Sequence, residues 1–231
     1  IGGSATNDCG VGMAQALGGK FLTEAGEEVG WGGGKLEQIT EIDLSQLDDR
    51  LAKVEIEVAC DVNNPLYGEK GAAYVYAPQK GASLDQVKDL DQGLRNIAEV
   101  IKRDLQREVA DTPGAGAAGG LGAGLVAFLD AELRPGIEIV LAATNLREKI
   151  KQFDLVITGE GKIDAQTAAG KTPVGVAKAA EESSVPVIGV AGALGSGAEK
   201  VYQEGIDALF SIVNAPMSLE AARQNSSQLL T

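Results

Sequence analysis

Between residues 84 and 109, Leu84, Val87, Leu90, Leu94, Ile97, Ile101, Leu105 and Val109 recur every three or four positions in an otherwise charged stretch. That spacing predicts one long helix with a single apolar stripe, stopped by Pro113. Elsewhere the periods are shorter. Residues 54–58 alternate apolar with acidic, as a half-buried strand would, and 72–76 read as a second strand ended by Pro78. Residues 10–18 predict a short helix closed by Gly18-Gly19, and 26–34 a loop or hairpin around Trp31. Six glycines fall within 114–124, followed by a small apolar helix at 125–133. From Ile137 the rhythm becomes short apolar runs alternating with helical segments: strands at 137–141, 154–158, 185–191 and 208–213, helices at 145–151, 173–182 and 197–204. Such alternation implies βαβ units and a largely parallel sheet. The change of rhythm sets a domain boundary near 150, dividing an irregular α/β part, residues 1–150, from a βα part, residues 151–231.

Composition narrows the chemistry. The 31 glycines and 4% aromatic content fit tight backbone packing with loops that approach a ligand. A formal charge of −13 argues against nucleic acid or an anionic membrane as partner, so an anionic substrate needs local Lys or Arg and backbone amides. Cys9 and Cys60 stand in no metal or redox spacing; with no signal peptide or membrane-length apolar run, they point to a soluble cytoplasmic protein. The absence of histidine excludes His-activated nucleophiles within these residues and removes the commonest zinc ligand. Carboxylates, Lys, hydroxyls, backbone dipoles and a hard cation remain.

Four segments carry candidate chemistry. Residues 1–8 form a glycine turn bearing Ser4, Thr6, Asn7 and Asp8, all helix-capping types; they read either as a plain capped helix start or as an anion site. Lying at residue 1, the segment marks the chain as part of something longer. Gly114-Ala115-Gly116-Ala117-Ala118-Gly119 matches G-x-G-x-x-G, but a helix rather than a strand precedes it, which rejects a dinucleotide fold and leaves close helix packing or a substrate cradle. Gly170-Lys171-Thr172 misses the P-loop because Ala165 stands where glycine is required; Lys171 and Thr172 either meet a phosphate or form a solvated helix start. Thr158-Gly159-Glu160-Gly161-Lys162-Ile163-Asp164 follows a buried strand as a loop. Glu160 and Asp164 could hold Mg²⁺ there, with Lys162 neutralising a transferring phosphoryl group, although an internal ion pair would look similar. Asp61, Asn63 and Asn64 could orient substrate hydroxyls, or Asp61 could cap the turn before Pro65. Cys9 reads as a small buried side chain.

Read together, several blocks resemble one family. They are Ile1-Gly2-Gly3-Ser4-Ala5-Thr6-Asn7-Asp8, Cys60-Asp61-Val62-Asn63-Asn64-Pro65-Leu66-Tyr67-Gly68 and Ala77-Pro78-Gln79-Lys80-Gly81-Ala82, then the glycine run from Pro113, Leu133-Arg134-Pro135-Gly136, and the stretch from Thr158 through Thr172 to Ala177. In this order over most of the chain, they resemble the bacterial type I glycerate kinases. The resemblance implies ATP-dependent phosphorylation of D-glycerate with Mg²⁺, at the 2-hydroxyl by leaning, with the 3-hydroxyl open. It implies a mixed α/β domain resembling the restriction-endonuclease fold and a partial flavodoxin-like domain, with the active site between them. It assigns Glu160 and Asp164 to Mg²⁺, Lys162 to the transferred phosphate, and Gly159, Gly161, Lys171 and Thr172 to the nucleotide phosphates. Gly3, Ser4, Thr6, Asn63, Gly114, Gly116 and Gly119 fall to the substrate, Lys80 and Arg134 to its carboxylate, and Asp8 or Asp61 to the substrate's proton. A homodimer stays open. Against the family pattern, the opening segment and a last short helix are missing, so the chain alone is expected to be inactive or to need that part. Cys9 stands where glycine is expected, harmless if its φ is negative. The rivals are a non-catalytic module binding a hydroxy acid or nucleotide, and an inactive fragment of the kinase.

Overall fold

The computed structural model describes residues 1–230. It is a mixed α/β structure that divides into two compact units between Gly136 and Ile137, ahead of the boundary near 150 expected from the sequence. Among the described residues no helix is long and apolar enough to cross a membrane.

The first unit begins with helix α1 (Val11–Ala16), then an antiparallel pair, β1 (Lys20–Leu22) with β2 (Glu41–Asp43), Phe21 opposite Ile42. Strand β3 (Glu57–Ala59) and short helix α2 (Ala72–Tyr76) precede the long helix α3 (Leu84–Leu105). Ser83 starts α3 with a capping box: its hydroxyl accepts the Gln86 N–H, and Gln86 accepts the Ser83 N–H. Val87, Leu94, Ile97 and Ile101 of the expected stripe are buried. The helix ends at Gln106, in the left-handed region with φ 55°, before Pro113 can act. Behind it, Phe21 meets Phe128 edge to face at 5.2 Å between ring centroids, in a core shared with Leu36, Leu66 and Leu94.

Two expected strands are helices. Residues 72–76 form α2, with the consecutive Ala72 and Ala73 both buried, and residues 137–141 belong to helix α5 (Gly136–Thr144), given with the second unit below. Five apolar residues are too few for period to separate strand from helix. The end of the glycine run is helical too. Helix α4 (Ala117–Leu129) takes in residues 117–124 of it, broken by a kink where Ala118, Gly119 and Gly120 leave the helical region with φ of 52°, 73° and 90°. It ends at Asp130 instead of running to 133, because strand β4 (Glu132–Arg134) then pairs in parallel with β3. Cys9 has φ 54°, contrary to the condition under which replacing glycine there would cost nothing. Its thiol is fully buried, and that burial pushes its pKa far above the ordinary value.

In the second unit, helices α5 and α6 (Leu146–Ile150) precede a three-stranded parallel sheet ordered β5 (Val156–Ile163), β6 (Val187–Leu194), β7 (Ala208–Ser211). Helix α7 (Thr172–Glu181) makes the β5-to-β6 crossover and buries Val174, Ala177 and Ala180 with Ile163, Val187 and Ile206. The expected helix at 197–204 is a 3-10 turn, Ala198–Glu204. Short helices α8 (Leu219–Gln224) and α9 (Ser226–Leu229) follow β7.

Candidate functional site

Lys80 closes the short 3-10 turn Pro78–Lys80. Its ammonium reaches back across the fold to donate to the Ser4 hydroxyl at 2.7 Å and to the Thr6 carbonyl at 2.5 Å. Burial lowers the Lys80 pKa, and the neighbouring Asp8 charge only partly opposes this. The Thr6 hydroxyl donates to Asp8 at 3.2 Å, while the Asp8 carboxylate also accepts the N–H groups of Gly10 and Gly12. Asp8 therefore caps the start of α1, the bland alternative for this segment, while Thr6 and Lys80 face it from the other side.

The α4 kink supplies the floor. The Gly119 carbonyl accepts the Cys9 N–H at 3.1 Å. A Cβ on Gly119 would lie 2.1 Å from the Thr6 carbonyl oxygen and 3.0 Å from the Lys80 nitrogen. Only glycine lets two backbones approach so closely with φ at +73°. Ser4, Thr6, Asp8, Lys80 and Gly119 are thus brought together, and Gly3 lines a cavity of about 140 Å³ with Ser4, Val62, Tyr76 and Lys80.

Two of the remaining candidates of the first unit have protein partners of their own. Asp61 accepts the Gly136 N–H at 2.9 Å. Arg134 pairs with Glu57 across the β3–β4 ladder. Asn63 is exposed. A Cβ on Gly114 would meet the Cys60 sulfur at 2.7 Å, and one on Gly116 the Pro65 carbonyl at 2.2 Å. At these two glycines, close packing is the observed use.

In the second unit, the segment expected to be a loop is the end of β5: Lys162 and Ile163 register with Ala193 and Leu194 of β6. Glu160 and Lys162 line a cavity of about 840 Å³ with Ile157, Val190, Ile212 and Leu219. Lys162 forms an ion pair with Asp164 at 2.9 Å. Its hydrogen bond, joined by the Gln166 N–H, holds the Asp164 carboxyl below the usual carboxylate range. Glu160 accepts the Thr167 hydroxyl, which itself accepts the Asp164 N–H at 3.1 Å. Among the described residues no group of three or more Asp, Glu or Cys is arranged to hold a metal ion. A cation here would rest on these two carboxylates and on ligand oxygens. Lys171 is the N-cap residue of α7 and Thr172 its first residue, both exposed.

One residue escaped the sequence reading. Thr167 is fully buried and ties Glu160 to Asp164; its place three residues after Asp164 is the only sequence signal, a side-chain turn spacing. Thr167→Val should lower the unfolding free energy by about 2 kcal/mol, because it strips partners from a backbone N–H and a carboxylate. A urea titration gives the value. Asn7, read from the sequence as one of four capping types, is buried instead, and neither of its amide atoms has a hydrogen-bond partner. Nothing in the spacing separates it from its exposed neighbour Thr6.

A family model for the glycerate kinases matches residues 1–231, and the chain belongs to the glycerate kinase family. It is 59% identical over 230 residues to a glycerate kinase of Halalkalibacterium halodurans, covering 100% of this chain and 60% of that relative. It is 54% identical over 222 residues to the glycerate 2-kinase of Escherichia coli K12, covering 96% of this chain and 58% of the relative. A crystal structure described as a glycerate kinase 2 from Salmonella typhimurium LT2 superposes with a TM-score of 0.85 at 49% identity, over 100% of this chain and 60% of that one. The chain spans about 60% of the length of these relatives.

Proposed function

We propose that the protein carrying this chain transfers the γ-phosphoryl group of ATP to D-glycerate, at the 2-hydroxyl. The observation that carries the reading is the partly buried Lys80 ammonium, held on Ser4 and Thr6 over the α4 kink. In a chain of net charge −13, a small carboxylate needs a local cation with N–H groups to spare. Lys80 spends two of its three on the protein. Family membership and the name of the E. coli relative support glycerate as the acid. The finer fold reading goes with it: a restriction-endonuclease-like mixed domain in the first unit and part of a flavodoxin-like domain in the second.

Phosphoryl transfer asks the protein mainly for positioning and charge neutralisation. Lys80 and Ser4 hold the glycerate carboxylate, and Thr6 orients it. Asp61 commits one oxygen to the Gly136 N–H and offers the other to the substrate hydroxyl proton. Asp8 stays the α1 cap that keeps Thr6 in place. Lys162, Lys171 and the backbone at Gly159 and Gly161 hold phosphate oxygens. Glu160 and Asp164 fit Mg²⁺, which takes one or two carboxylates alongside phosphate and when bound neutralises charge on the transferring group. A cytoplasmic setting and small-molecule partners belong to the same proposal, and a homodimer is compatible with it.

A coupled assay of ADP release by the full polypeptide, with ATP, Mg²⁺ and D-glycerate, tests the reading. Glycerate-dependent ADP formation supports it, whereas tight glycerate binding without turnover replaces it with a binding module. A pH dependence follows. Burial lowers the Lys80 pKa below 10.5, so Lys80 loses its charge earlier than an ordinary lysine as pH rises. The KM for glycerate should therefore climb at alkaline pH before 10.5. Stability moves the other way through Lys80: its folded pKa lies below the unfolded value, so raising pH through that window relieves the cost of the buried charge. A KM flat to pH 10.5 would remove Lys80 from the carboxylate.

A further inference from the structure

We propose that Asn64 is a positioning residue for the hydroxy acid, setting two walls of the small cavity that Lys80 and Ser4 line. The inference rests on the glycerate reading above and adds to it the residue that shapes the site. Asn64 lies half-buried in the loop after β3 and holds three separate segments. Its Oδ1 accepts the Tyr76 hydroxyl at 2.7 Å, at the end of α2. Its Nδ2 donates to the Lys70 carbonyl at 2.8 Å, which closes the loop on itself. Its main-chain carbonyl accepts the Gly116 N–H at 2.9 Å, at the start of α4. Both ends of the amide thus have protein partners, and the direct substrate contact read from the motif gives way to the placing of neighbours.

Those neighbours border the site. Tyr76, Ala117 and Ala118 line the cavity of about 140 Å³ together with Ser4, Val62 and Lys80. Tyr76 also leads into the turn that carries Lys80: Ala77 follows it, 1% exposed, and the Lys80 N–H returns to the Ala77 carbonyl at 3.0 Å. Fixing Tyr76 therefore fixes the turn that presents the ammonium. On the other side, Gly116 runs into the kinked residues 118–120 of α4. A Cβ on Gly116 would fall 3.2 Å from the Asn64 carbonyl oxygen, so the helix starts hard against this loop. Burial raises the Tyr76 pKa, with Cys60 adding to it, and the hydroxyl keeps the proton it gives to Asn64. A small site binds productively only when its walls are held to within about 0.5 Å. Asn64 ties two of them, the end of α2 and the start of α4, to one residue.

The test measures D-glycerate binding by calorimetry, and steady-state kinetics, on the full polypeptide as wild type, Asn64→Ala, Tyr76→Phe and the double variant. Alanine keeps the main-chain bond to Gly116 and phenylalanine keeps the ring, so each single change breaks the link between residues 64 and 76. Glycerate Kd and KM should rise about fivefold in Tyr76→Phe and at least as much in Asn64→Ala. The KM for ATP should stay within about twofold of wild type. The double variant should bind no more weakly than Asn64→Ala alone, because the two changes remove one shared hydrogen bond. A lowered melting temperature with glycerate Kd unchanged would make Asn64 structural only. Losses that multiply in the double variant, or an ATP KM that rises with that of glycerate, would also overturn the assignment. If Asn64→Ala does not fold, an unchanged Kd in Tyr76→Phe overturns it by itself. A wild type that binds glycerate without releasing ADP would remove the kinase reading and leave the binding comparison to decide this role; one that binds no glycerate would overturn both.

Discussion

Gly119→Ala is expected to destabilise the first unit by about 3 kcal/mol and to abolish glycerate turnover. Two costs combine. The backbone at residue 119 has φ +73°, a region that costs an L-residue about 1–2 kcal/mol. The new methyl would also sit 2.1 Å from the Thr6 carbonyl oxygen and 2.8 Å from the Asn7 Cα. Both neighbours are backbone, so neither can swing away, and overpacking of this kind costs about 1–3 kcal/mol. The shift needed to relieve it moves the segment that carries Ser4, Thr6 and Asn7 off Lys80. Gly34→Ala is the internal control: a Cβ there meets nothing within 4 Å, and its stability cost should stay under about 1 kcal/mol. Guanidinium unfolding of the two variants, with kcat/KM for glycerate, distinguishes a steric floor from general loop damage. Equal stabilities would remove the close-approach argument.

Lys80→Met should lower kcat/KM for glycerate about a hundredfold while leaving the protein folded. Methionine fills much of the lysine stem's volume but donates nothing. Charge-assisted hydrogen bonds contribute about 1.5–3 kcal/mol each, and about 1.4 kcal/mol is a factor of ten. Losing the contact to a carboxylate thus accounts for most of a hundredfold. Lys80→Arg should not rescue, because a planar fork cannot reproduce a compact ammonium that meets Ser4 and Thr6 at 2.7 and 2.5 Å. Steady-state kinetics with each variant tests this; a loss below threefold in Lys80→Met would place the substrate carboxylate elsewhere.

Long-period information was legible and short-period information was not. The stripe from Val87 to Ile101 and the βα rhythm after residue 150 carry their periods over enough residues to specify helix α3 and the parallel sheet β5-β6-β7. The five-residue runs at 72–76 and 137–141 do not, and the structure makes both helical. The glycine run misled for a different reason. Its residues look like helix breakers, and three of them do leave the helical region at the kink, but regular helix resumes at residue 121 inside the run, and tight contacts at 114, 116 and 119 require the small side chain. At the site, motif reading brought Ser4, Thr6 and Lys80 forward, and the fold joins them across 76 positions of sequence. It named Asn7 as a capping type and could not foresee its burial without a partner. Nor could it foresee that Arg134 meets Glu57, a pairing created by the β3–β4 register. Contacts of this kind are made by the tertiary fold, and local pattern carries no trace of them.

The most direct measurement is ³¹P NMR of the full polypeptide incubated with ATP, Mg²⁺ and D-glycerate. A new phosphomonoester resonance coupled to the C2 proton, growing in step with ADP, is the expected result. ATP left unchanged, or hydrolysed to inorganic phosphate with no phosphoglycerate, would contradict it.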